Sequence, residues 1–200
     1  MRDAIHHLRT NDPVLAAIID RVGEYQIRFR EPNFDTLAKA IVFQQLSGKV
    51  ANVIYDRFLA AVKGEMTPEA VLRLRPARMR KLGLSTQKTA YIRDLARHSR
   101  DRRVVFDDLH HLPDQDVIER LTQVKGIGVW TVHMFLIFAL RRNDVLPTGD
   151  LGIRNAIRKA YGLEQLPTPA EMEEMAGKWR PYCSVASWYL WRSLEPDANL

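Results

Sequence analysis

The sequence predicts an all-α fold. Apolar residues recur at three- and four-residue spacing through most of the 200 residues. Asp-Pro, Thr-Pro and serine starts and glycine stops punctuate the chain as they do a string of helices. Strand composition is confined to Val104-Val105-Phe106, too short to build a sheet. About ten helices are expected. No flexible linker separates them, so the expectation is one packed unit of two lobes, the terminal helices forming one and residues 35–130 the other.

The elements follow in order. Asp12-Pro13 offers a cap and a first-turn proline; Val14, Leu15, Ile18, Ile19 and Val22 then share a face, and Gly23 stops the helix. Phe34 to Leu46 carries Leu37, Ile41 and Val42. Ser47 is placed to cap the next helix, with Val50, Val53, Ile54, Phe58 and Leu59 as its apolar set. Thr67-Pro68 opens a short helix, Pro76 opens another that ends at Gly83, and Ser85 caps Thr86 to Arg97. Gly162 ends one helix, and Thr168 with Glu171 makes a capping box at the start of the next.

Composition excludes several classes. Hydrophobic residues at 46% and charged residues at 27% rule against wholesale disorder. The single cysteine, Cys183, excludes an internal disulfide and any four-cysteine zinc or iron–sulfur site. His6-His7 and His110-His111 lack partners at metal-ligand spacing. The longest apolar run, Met134 to Leu140, is too short to span a bilayer, and the start shows no apolar signal core. The chain is therefore expected to be soluble and intracellular: cytoplasm or nucleoid if bacterial, nucleus if eukaryotic. Lys+Arg at 30 against Asp+Glu at 24 gives +6, which favours polyanionic partners such as nucleic acid. A monomer is the default expectation.

The most informative stretch is Leu121 to Val132, the turn between two helices over about 114–140. Gly126 and Gly128 flank Ile127, a pattern for a turn too tight for side chains. Ile127 tucks inward. The amides of Gly126, Gly128 and the next first turn then face outward at a helix N-terminus, an anion site suited to a DNA phosphate. The same glycines also serve a plain helical corner. Downstream, Pro147 and Gly149 fix a turn that sets Asp150 at the start of a helix beginning at Leu151. As a segment by itself this reads first as an N-cap. Asp144 is a further candidate, and reads first as a solvated loop residue.

A Gly-Ile-Gly hairpin, an apolar helix, then a Pro-x-Gly-Asp turn resembles the helix-hairpin-helix DNA glycosylase superfamily, named for its Gly/Pro-rich loop and aspartate. The resemblance runs from Phe43-Gln44-Gln45-Leu46-Ser47 to the C-terminal aromatic helix. It is most similar to the alkylbase branch, DNA-3-methyladenine glycosylase II. It implies a two-lobed helical fold with the active site in a cleft between lobes. It also implies a monofunctional enzyme of base excision repair that flips out alkylated purines, such as 3-methyladenine and 7-methylguanine. Hydrolysis of the N-glycosidic bond would leave an abasic site. Asp150 falls on the catalytic aspartate. Bifunctional members carry a lysine two residues after the second hairpin glycine, where this chain has Trp130, so no lyase step is implied.

The resemblance places Trp130 and Trp191 in an aromatic pocket that selects a cationic base. Trp188 and Tyr189 read as core. Gln45 and Leu46 match the segment that wedges into the duplex; which of them inserts stays open, as does a buried Leu46. Ser85 is similar to a second phosphate contact and equally a cap. Lys125, Arg141 and Arg154 are candidates to face the DNA backbone, and His133 to line the pocket. No cofactor is required. Some relatives bind a monovalent cation through hairpin carbonyls, here those of Gln123 and Gly126. Cys183 stands where the family usually has arginine. The rival readings are a non-catalytic DNA-binding module and a glycosylase for hypoxanthine or ethenoadenine.

Overall fold

The computed structural model describes residues 1–195. Among them it is helical, with twelve α-helices, one 3₁₀ helix and no strand. No helix is long and apolar enough to cross a membrane. The chain divides into two compact units, residues 1–29 with 136–200 and residues 30–135.

The first unit starts with α1 (Arg2–Asn11) and α2 (Pro13–Val22), split at Asp12. Later come α10 (Leu151–Tyr161), α11 (Pro169–Ala176) and α12 (Cys183–Arg192). Eight consecutive residues of α12, Cys183 to Leu190, are buried, which makes it the central helix of this unit. Leu8, Leu15, Ile153, Ile157, Trp179 and Tyr189 share its core. Trp188 and Tyr189 are in that core, and Tyr25 packs edge-on against Trp188.

Asp12 does more than cap. It is 0% exposed. One carboxylate oxygen accepts the amides of Val14 and Leu15. The other accepts the Trp179 indole N–H at 2.7 Å and the Tyr161 hydroxyl, with the Lys178 ammonium at 3.1 Å. Burial pushes this carboxyl up, yet the donors from Trp179, Tyr161, Leu15 and Lys178 outweigh it and hold it below its ordinary value.

The second unit holds α3 (Phe34–Phe43), α4 (Gly48–Ala61), α5 (Pro68–Arg73), α6 (Pro76–Lys81), α7 (Thr86–Arg100), the 3₁₀ helix Phe106–His111 and α8 (Asp114–Thr122). It also holds most of α9 (Val129–Phe138), whose last residues belong to the first unit. Ile41, Phe58, Met79, Ile92, Leu95 and Leu121 are fully buried.

Several boundaries differ from the sequence reading. α3 stops at Phe43, three residues before Leu46, because Gln44 turns extended (ψ 130°) and Gln45 takes a left-handed φ of 56°. Ser47 stands at the α4 N-cap position without a side-chain cap bond. α7 runs on to Arg100. Val104-Val105-Phe106 forms no strand and leads into the 3₁₀ helix. The capping box of Thr168 and Glu171, the Ser85 cap and the left-handed Gly162 are present.

Candidate functional site

In the first unit the site is built on the α10 N-terminus. Asp150 is its N-cap, and the Ile153 amide donates to Oδ1 at 2.8 Å. The indole N–H of Trp191, on α12, donates to the same oxygen at 2.9 Å. The Trp191 ring in turn stacks on Phe138, with centroids 5.7 Å apart and planes at 28°. So Trp191, expected as a pocket wall, also holds the aspartate. Gly152 lies beside this pair: a Cβ there would sit 3.0 Å from Asp150 Oδ1 and 3.2 Å from Trp191 Cδ1. Neither Phe138 nor Gly152 was singled out by sequence, since their role is visible only once α10 and α12 are side by side.

Asp144 is not a solvated loop residue. It accepts the Cys183 amide at 3.2 Å and pairs with Arg180 at 3.0 Å. It thus supplies the missing cap of α12, where Tyr182 offers none. Burial pushes the Asp144 carboxyl up, and the Cys183 and Arg180 donors bring it below its ordinary value. Cys183 is fully buried beside it, with its thiol pushed up by burial. Arg154, a candidate for the DNA backbone, instead spends its Nε on the Pro167 carbonyl at 3.0 Å. Arg141 lies over the Phe29 ring.

In the second unit the hairpin between α8 and α9 is docked on α7. Gly126 has φ of +85°, and a Cβ on it would stand 2.0 Å from Tyr91. The Lys125 amide donates to Asp94 at 3.0 Å. Ile127 is buried, as a clamp between two helices must be. Gly128 is different: its φ is not positive, and a Cβ there meets nothing within 4 Å. The protein's own packing leaves that face open. The amides of Gly126 and Gly128 find no backbone acceptor among the described residues.

The remaining expected residues fall as follows. Trp130, 48% exposed, and half-buried His133 lie on α9. Gln45 and Leu46 are exposed on the turn before α4, so a buried Leu46 is excluded. Val50 and Val53 extend the exposed apolar stripe along α4. Ser85 is exposed and accepts the Lys88 amide at 3.1 Å. Lys125 and Gln123 are exposed. The Gly126 carbonyl accepts the Gln44 side-chain amide at 2.8 Å. No group of three His, Cys, Asp or Glu suited to a metal occurs among the described residues.

Residues 38–181 match the family described as HhH-GPD superfamily base excision DNA repair protein. The chain belongs to this superfamily. Among its HhH-GPD relatives is DNA-3-methyladenine glycosylase 1 of Schizosaccharomyces pombe, 34% identical over 194 residues, covering 94% of this chain and 85% of that protein. A putative DNA-3-methyladenine glycosylase of Bacillus subtilis, YfjP, is 34% identical over 170 residues, 81% of this chain and 59% of that one. Solved HhH-GPD structures agree. A DNA-3-methyladenine glycosidase from Bacillus halodurans superposes with a TM-score of 0.87 at 35% identity, over 98% of this chain and 89% of that one. The S. pombe enzyme Mag1, in complex with abasic DNA, gives 0.83 at 34% identity over 95% of both chains.

Proposed function

We propose that this HhH-GPD protein is a monofunctional DNA-3-methyladenine glycosylase that hydrolyses the N-glycosidic bond of alkylated purines in double-stranded DNA. The observation that carries the reading is the Asp150 carboxylate, held at one oxygen by two donors at the start of α10. A purine alkylated at N3 or N7 is already cationic, so it leaves as a neutral molecule without a general acid. The sugar left behind is oxocarbenium-like. A fixed carboxylate stabilises that cation and orients the attacking water. Fixing the group beforehand removes the reorganisation that a mobile carboxylate would need during the reaction.

The other residues serve the steps before bond cleavage. Gly126, Ile127, Gly128 and Lys125 present the hairpin to a phosphate, and Ser85 makes a second phosphate contact. Leu46 or Gln45 fills the gap left when the base leaves the stack. Trp130 faces the cationic base through cation–π attraction, with His133 on the same helix. Trp130 stands where an amine nucleophile would be needed, so no Schiff base forms and no lyase step follows. No step uses a metal or an organic cofactor, and the protein acts as a monomer.

One observation favours a second reading. The Ile153 amide makes Asp150 a genuine helix cap, which is all a non-catalytic DNA-binding module would require. Asp150→Asn separates the two, since an amide oxygen also caps. The glycosylase reading expects unchanged folding and duplex binding, with release of methylated purines reduced about a hundredfold or more. Unchanged release would remove Asp150 from the chemistry. Running the wild-type protein on alkylated, deaminated and etheno-containing duplexes decides which lesion class it prefers.

A further inference from the structure

The turn after α3 is tied at both ends. Lys88, on α7, donates its ammonium to the carbonyls of Val42 at 2.7 Å and Gln44 at 2.6 Å. These are carbonyls left open where a helix stops. Burial pushes that ammonium down from its ordinary value, as expected for a charge withdrawn from water onto carbonyls. Beyond it, Gln45 holds a left-handed backbone without being glycine. Such a backbone is strained and persists only where its surroundings fix it. The Gln44 side chain makes one bond, to the Gly126 carbonyl at 2.8 Å across 82 residues of sequence. Gly126 itself is immobilised against Tyr91, and its neighbour Lys125 is bound to Asp94.

We propose that Gln44 is a positioning residue: its amide fastens the exposed Gln45-Leu46 turn to the phosphate-facing hairpin, so that docking of the hairpin sets the depth at which the turn enters the duplex. This rests on the glycosylase reading for what the turn and hairpin touch. The bond contributes nothing to either hydrophobic core. It joins one half-buried side chain to one backbone oxygen, and Lys88 fastens the end of α3 without it. Removing the amide therefore frees the turn from the hairpin while the helices stay packed.

Gln44→Met keeps the side-chain volume and deletes the donor. The experiment reads 2-aminopurine fluorescence beside a tetrahydrofuran abasic analogue, which reports unstacking without any bond cleavage. It also reads single-turnover base release from methylated duplex, affinity for undamaged duplex, and thermal unfolding. Unstacking and base release are expected to fall together by about five- to tenfold, the worth of one hydrogen bond. Affinity for undamaged duplex and the melting temperature stay at wild-type values. Gln44→Glu, which turns an acceptor toward the carbonyl, is expected to lose more. Adding Leu46→Ala to Gln44→Met is expected to cost little beyond the larger single effect, because both act on one turn.

Wild-type unstacking in Gln44→Met overturns the proposal. So does a loss matched by an equal loss of stability, or full additivity with Leu46→Ala. If Leu46→Ala and Gln45→Ala both leave unstacking unchanged, the turn is no wedge and the proposal falls with it. A wild-type protein that unstacks the analogue yet releases no base would instead refute the glycosylase reading and leave the positioning role measured on the analogue.

Discussion

The indole N–H of Trp191 and the carboxylate of Asp150 meet at 2.9 Å, on the same oxygen that accepts the Ile153 amide. Two donors from different helices fix one carboxylate oxygen and thereby the plane of the whole group. An aspartate serving only as a cap needs the amide alone. The second donor holds the carboxylate from another helix, as the Trp179 indole does for the cap Asp12.

Trp191→Phe tests that relationship. Phenylalanine keeps an aromatic face toward Phe138 and deletes the N–H. Loss of a hydrogen bond to a charged group is worth about 1.5–3 kcal/mol. If the bond orients Asp150 for the reaction, the loss falls on the chemical step: kcat is expected to drop about tenfold or more, with KM nearly unchanged. Single-turnover release from methylated duplex measures it. A rise in KM alone would mean that Trp191 only grips the base.

Gly152→Ala makes the same point from the other side. The added methyl lands 3.0 Å from Asp150 Oδ1, so carboxylate or indole must move by a few tenths of an ångström. Helix propensity favours alanine by about 0.5–1 kcal/mol. The expected outcome is a split: thermal stability unchanged or slightly raised, base release lowered about tenfold. Melting curves and single-turnover assays on one preparation show both.

The legible parts of this protein are those where chemistry is local. The cap bonds of Asp12 before Pro13 and of Thr168 with Glu171 close within a few residues, so spacing betrays them. The same holds for Asp150 as a cap. What could not be read are partners set by folding. Trp179 reaches Asp12 across 167 residues, and Gln44 reaches Gly126 across 82. Asp144 looked like a solvated loop residue because the helix it caps begins 39 residues later. The conformation of the Gln45-Leu46 turn was not legible either: Phe34 to Leu46 reads as one continuous apolar helix, and Lys88, which holds the Val42 and Gln44 carbonyls where it stops, arrives from α7.

The two hairpin glycines are expected to behave oppositely. Gly126→Ala forces a Cβ into the Tyr91 ring at φ of +85°. Left-handed strain and overpacking together cost about 2–4 kcal/mol. Gly128→Ala meets no protein atom and is expected to leave stability within about 0.5 kcal/mol. If the open face at Gly128 receives a phosphate, that variant instead weakens duplex binding severalfold at constant salt. Chemical denaturation and fluorescence anisotropy with undamaged duplex separate the two effects.

Asp12 makes the stability of the first unit depend on pH in acid. Its donors hold the carboxyl below its ordinary value of 3.8 in the folded protein. The unfolded chain therefore binds its proton first as pH falls. The stabilisation is fully present above the unfolded value and is lost as pH drops through the folded one. Asp12→Asn removes the charge facing Lys178 and leaves one acceptor oxygen, so its NH2 group meets either the Val14 and Leu15 amides or the Trp179 and Tyr161 donors. At neutral pH it is expected to cost about 1.5–3 kcal/mol, read from urea midpoints. The gap to wild type should narrow as pH falls through the folded carboxyl's value, which lies below 3.8, because the wild-type carboxylate loses the same charge there. A gap that stays constant with pH would show that shape and hydrogen bonding at Asp12, rather than its charge, join α1, α2, α10 and the Trp179 turn.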